Sequence, residues 1–84
     1  MSTNTFRELD TVVLNRDLPE HDLQRGDLGA IVHVHGSDSF EVEFVRAAGR
    51  TQALVALTTA DLRAVGSEDL IAVRPSKPRT RGAA

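Results

Sequence analysis

His33 and His35 lie two positions apart in a run of alternating residues, so their imidazoles share one face of an extended strand. Glu41 follows in the next run and falls opposite His33 if the two runs pair as a hairpin. Two imidazoles and a carboxylate on one face are types that hold zinc. The same residues also make an ordinary solvated strand face with a cross-strand His–Glu pair, and that is the expectation here, with no metal and no cofactor. Asp17, Glu20, His21 and Asp22 crowd a second stretch. Carboxylates beside a histidine can move protons, but the sequence places no nucleophile near them, so they read as loop charge. The chain contains no cysteine, which excludes a thiol nucleophile, a zinc–thiolate site and a disulfide. No catalytic set emerges, and the expectation is a protein that is not an enzyme. Arg25-Gly26-Asp27 spells a tripeptide that integrins read on extracellular ligands; here its glycine serves a turn.

These side chains need elements to carry them. The first strand is expected over 10–14, where Val12 and Leu14 alternate with Thr11 and Val13. A polar loop follows, with Pro19 fixing its own backbone and Leu18 and Leu23 as apolar anchors. Gly26 and Gly29 are expected to supply unusual backbone angles at a turn or bulge. The second strand, over 28–35, puts Ala30, Val32 and Val34 on one face and Ile31, His33 and His35 on the other. The third, over 39–45, puts Phe40, Val42 and Phe44 inward and Glu41 and Glu43 outward. Matching faces requires paired positions that sum to an even number. Val34 with Phe40, Val32 with Val42 and Ala30 with Phe44 satisfy this and leave a loop over 36–38. The fourth strand, over 51–58, is apolar on both faces, so its outer face needs a cover. The C-terminal segment and a second protomer are both candidates. Thr58 or Thr59 caps a single helical turn, and residues 63–65 close the sheet.

The expected fold class is therefore all-β: a small five-stranded SH3-like barrel with one short 3-10 turn and a disordered basic C-terminal tail. Residues 1–8 read as a flexible leader, 9–65 as the barrel, 66–74 as an added edge strand and 75–84 as the tail.

Charge is unevenly spread. Residues 1–73 hold six basic and twelve acidic groups, a balance of −6, whereas Arg74, Lys77, Arg79 and Arg81 cluster at the end. An acidic globule does not attract a polyanion, and the aromatic residues, three Phe with no Trp or Tyr, offer no stacking platform. Nucleic acid is not an expected partner of the barrel. No apolar run approaches the roughly 20 residues needed to cross a membrane, and the first residues lack a secretory pattern, which fits the cytoplasm.

The pieces LDTVVL, RDLPEHDLQRGDLGAIVHV, FEVEFV and GRTQALVALTTADLRAV resemble a family of short bacterial domains of unknown function, over about residues 9–65. RGDLGAIV and EVEF are the most specific parts. The family pattern is also similar to the SH3-like barrel of the nitrile hydratase beta subunit. The resemblance implies a fold and carries no catalytic residues.

The resulting expectation is a non-enzymatic protein-binding module, with an antitoxin or immunity-type regulator as its sharpest form. The expected protein-binding surface is Ile31, His33, His35, Glu41, Glu43, Gln52 and Leu54, an apolar centre with a polar rim. Self-association through strand four or the C-terminal strand is a second interaction. The alternatives are an accessory subunit of a metalloenzyme, on the nitrile-hydratase-like barrel, and a KOW-like nucleic-acid-associated barrel, on the Gly-x-x-Gly turn.

Overall fold

Phe40, Val42 and Phe44 point to one side of a central strand, and the rest of the chain is arranged to cover them. In the computed structural model, which describes residues 6–76, the strands are β1 (Thr11–Leu14), β2 (Leu28–Gly36), β3 (Ser39–Val45), β4 (Thr51–Leu57) and β5 (Leu62–Ala64). They form one antiparallel sheet in the order β4-β3-β2-β1-β5. Leu57 of β4 and Leu62 of β5 come from opposite edges of that sheet yet join the same core as Val12, Leu14, Ile31, Phe40, Val42 and Phe44. The sheet is therefore rolled on itself, as an SH3-like barrel requires. There are two 3-10 turns, not one: Thr59–Asp61 falls where expected, and Pro19–His21 adds a second in the first loop.

The register of β2 differs from the simple alternation. Val34 pairs with Phe40 and His33 with Glu41, as the even-sum rule predicts. Ile31, however, pairs with Val42 and Ala30 with Glu43, because Val32 is an additional residue on β2 with no partner on β3. A bulge of this kind reverses which side chains face inward. Before it, Gly29 and Ile31 face the core; after it, Val34 does. Ile31 is thus completely buried, and Val32, expected inside, is 38% exposed. A second irregularity at His35 brings Gly36 opposite Ser39, so Gly36 belongs to the strand and the connecting loop is only Ser37 and Asp38.

The two glycines ahead of β2 play different parts. Gly26 has φ +98°, a left-handed conformation that favours glycine. Gly29 has no such angle; it lies against the side chains of Val42 and Phe44 of β3. A Cβ there would stand 2.7 Å from Val42 Cγ1 and 2.8 Å from Phe44 Cε1. Pro19 occupies the first turn of its 3-10 helix, where its missing N–H costs nothing. Leu18 and Leu23 anchor this loop as expected, joined by two backbone hydrogen bonds of 2.9 and 3.1 Å and buried under the barrel.

Both chain ends depart from the expected layout. Residues 1–5 of the expected leader lie outside the described residues, but Phe6 is core, 4% exposed, with its ring edge-on to Phe40 at 5.6 Å. The turn that returns the chain from Phe6 to β1 uses the Asp10 carboxylate, which accepts from the Arg7 N–H, and holds Leu9 at φ +75°. Residues 66–74 make no ladder and are not an edge strand. The carboxylate of Asp69, bound by Arg63 and the Gly66 N–H, turns this segment away from β5. Of the expected tail, residues 77–84 lie outside the described residues.

Two substitutions test this packing by urea denaturation. Gly29→Ala should cost about 1–3 kcal/mol by overpacking, while Gly36→Ala, whose Cβ meets nothing within 4 Å, should cost well under that. Phe6→Ala should cost about 3 kcal/mol; a value near zero would return Phe6 to the leader.

Candidate functional surface

The outer side of the β2–β3–β4 unit presents carboxylates around exposed apolar groups. Glu43 lies opposite Leu54 and Glu41 opposite Ala56 across the β3–β4 ladder. Leu54 is 53% exposed and Val45 56%. Thr51 donates its hydroxyl to Glu43. Of the expected surface residues, His33, His35, Glu41, Glu43 and Leu54 share this side. Ile31 does not, because the bulge at Val32 turns it into the core. Gln52 does not either. A third register shift, between Phe44 and Val45, places Val45 opposite Thr51 and leaves Gln52 as the additional residue. Its amide accepts from Arg46 Nε at 2.7 Å and donates to the His21 carbonyl at 3.1 Å, tying β4 to the first loop.

The two histidines stack edge-on with ring centroids 4.4 Å apart. Backbone register sets His33 opposite Glu41, but the side-chain partner of Glu41 is His35, with Nε2 3.3 Å from Oε1. His33 Nδ1 instead lies 3.7 Å from Glu8 Oε2. Each imidazole has its own carboxylate, and among the described residues no three metal-ligating side chains converge on one point. The geometry therefore favours two His–Glu contacts over a ligand cage.

The acidic residues of the first loop build turns. Asp17 accepts from the Arg25 N–H at 2.8 Å. Asp22 caps the first 3-10 turn in a left-handed conformation, donating its N–H to the Pro19 carbonyl. Asp27, the acidic residue of the Arg-Gly-Asp tripeptide, accepts from the Gln24 N–H and is gripped by both arms of Arg74, Nε–Oδ1 2.8 Å and Nη2–Oδ2 2.6 Å. Partial burial pushes the Asp27 carboxyl up. The Arg74 hydrogen bond, the Gln24 N–H and the Arg74 charge outweigh this and hold it below the usual carboxylate range. Arg74, expected at the end of an added edge strand and grouped with the basic charges at the end of the chain, is instead an anchor. It also donates to the Asp22 carbonyl at 3.2 Å.

Two Arg–Asp pairs thus pin the C-terminal segment, Arg63–Asp69 near its start and Arg74–Asp27 near its end. Between them the chain arches over a cavity of about 450 Å³, walled by Val13, Leu28, Val45 and the segment itself. Val13, on the face of β1 away from the main core, is buried there. Sequence reasoning missed this contact because nothing local joins residue 74 to residue 27; the signal was the lone arginine after an apolar run.

Because the native carboxyl of Asp27 titrates below its unfolded value of about 3.9, its contribution is complete above that value and is lost as pH falls through the native one. Asp27→Asn should therefore cost about 1 kcal/mol at pH 7. The gap from wild type should narrow steadily as pH is lowered from about 5 toward 2 in urea melts; a gap unchanged by pH would remove the ion pair from the account.

No helix among the described residues is long and apolar enough to cross a membrane. Comparison with curated proteins and with solved structures returned no match. A family model, described as domain of unknown function (DUF4926), matches residues 8–64, which takes in all five strands and the first loop. The chain, with its RGDLGAIV turn, EVEF strand and capped final turn, belongs to the DUF4926 family.

Proposed function

We propose that this domain is a non-enzymatic module that docks a basic protein partner on the outer side of β2, β3 and β4, in the manner of an antitoxin or immunity protein. The observation that carries the reading is the exposure of Leu54 and Val45 beside Glu41 and Glu43. An apolar centre supplies desolvation, and the carboxylate rim steers a cationic surface toward it. Glu8, brought to the same side by its contact with His33, extends the rim. The surplus of acidic over basic groups in residues 1–73 adds a long-range field of the same sign. Among the described arginines, Arg16, Arg63 and Arg74 each form a locally neutral pair with an aspartate.

The reading is tested by affinity capture from the native host with two variants, Leu54→Arg and Glu41→Lys combined with Glu43→Lys. A stoichiometric basic protein should co-purify with wild type, and each variant should weaken it at least about tenfold while melting within a few degrees of wild type. The wild-type complex should weaken as salt rises. Recovery of no stoichiometric partner, or a partner indifferent to both variants, would sink the proposal.

A further inference from the structure

β4 is an edge strand whose one protection is the bulge at Gln52 near its start. Thr51 to Leu57 carries no charge, no proline and no glycine over seven residues. Natural edges are blunted by such residues, because an open row of N–H and C=O groups is a template for another strand. The other edge, β5, is only three residues long. Among the described residues nothing pairs with the outer side of β4. The C-terminal segment, one candidate cover, lies elsewhere, held to the first loop by Arg74 and Asp27. Leu54 and Ala56 remain exposed.

We infer that β4 pairs antiparallel with β4 of a second copy about a two-fold axis at Leu54, joining the two sheets edge to edge. A two-fold centred on a residue pairs positions that sum to an even number, so like faces meet. Leu54 then stands opposite its own copy on the outer face and Ala53 opposite Val55 on the inner one, and the matched stretch ends at Gln52, which the register shift turns away from the outer side. Aliphatic side chains across a ladder stabilise it, and no pair in this register sets like charges together. The acidity of the domain does not oppose the union. Glu41 and Glu43 sit on β3, one strand in from the junction. The two copies of β3 would be three strand spacings apart, about 14 Å, beyond the roughly 8 Å screening length at physiological salt. A second copy is favoured over a foreign strand because the edge is uncharged along its length. It selects no charged partner, and its aliphatic run matches itself. One short ladder buries less than a standard interface, so the dimer should be reversible, with a dissociation constant on the order of 10–100 μM. The inference does not rest on the docking of a basic partner, which uses the face of the sheet and not its edge.

The test is sedimentation of the full chain from about 10 μM to 1 mM, with amide hydrogen exchange measured at both ends of that range. Wild type should pass from monomer to dimer, and alternate amides of Thr51 to Leu57, those not bonded to β3, should slow at least tenfold at the higher concentration. Ala56→Lys, an exposed position that would add one charge to each strand, should remain monomeric at 1 mM with an unchanged melting temperature. A monomer throughout the range would overturn the inference. So would a dimer in which β4 amides exchange equally at both concentrations, or one abolished by Leu70→Ser with Ile71→Ser while β4 exchange stays the same.

Discussion

One additional residue in β2 decides which side chains this domain keeps inside. With strict alternation, Val32 would enter the core and Ile31 would face water. The bulge at Val32 reverses that order midway along the strand. The larger Ile31 fills the space opposite Val42, and Val34 still reaches Phe40. It lets β2 bend where it passes from β1 to β3, which a straight strand could not do without splitting the core. Gly29 serves the same bend from the other side. The backbone of β2 comes so close to Val42 and Phe44 that there is no room for a methyl group. Close packing of this kind leaves little slack in a small barrel, so the outer face is placed as much by the core as by its own residues.

The β3 strand was legible because its period is unbroken: Phe40, Val42 and Phe44 alternate with glutamates, and the structure keeps that division without exception. The Thr58 turn was legible from local chemistry. Asp61 accepts from both the N–H and the hydroxyl of Thr58, the capping arrangement those residues suggest. The loop leucines were legible because two large apolar groups amid polar neighbours must bury somewhere. Ile31 and Gln52 were misread for one shared reason. A bulge has no residue signature of its own, and a single insertion flips every position on one side of it. Phe6 and Arg74 were misread because their partners, Phe40 and Asp27, are remote in sequence.

The charges divide by environment. Among the described residues, Arg16, Arg63 and Arg74 are each tied to an aspartate. Asp61 shows the balance well. Its partial burial raises the carboxyl, but the Thr58 N–H, Arg16 and the Thr58 hydroxyl together pull it below the usual range. The aspartates thus serve as fasteners of turns and chain ends. The glutamates are left on the outside, where Glu8, Glu41 and Glu43 face histidines or a threonine hydroxyl and no arginine. The short carboxylate fastens the chain to itself, and the longer one colours the surface.

Two neighbouring carbonyls in the first loop are held from opposite directions. Gln52 of β4 grips that of His21, and Arg74 of the C-terminal segment grips that of Asp22. Gln52 is in turn braced by Arg46 from the hairpin before β4, and Arg74 by Asp27. A polar loop is thereby held from each side near the end of its 3-10 turn. The hairpin before β4 and the C-terminal segment thus meet on adjacent carbonyls of a loop that belongs to neither.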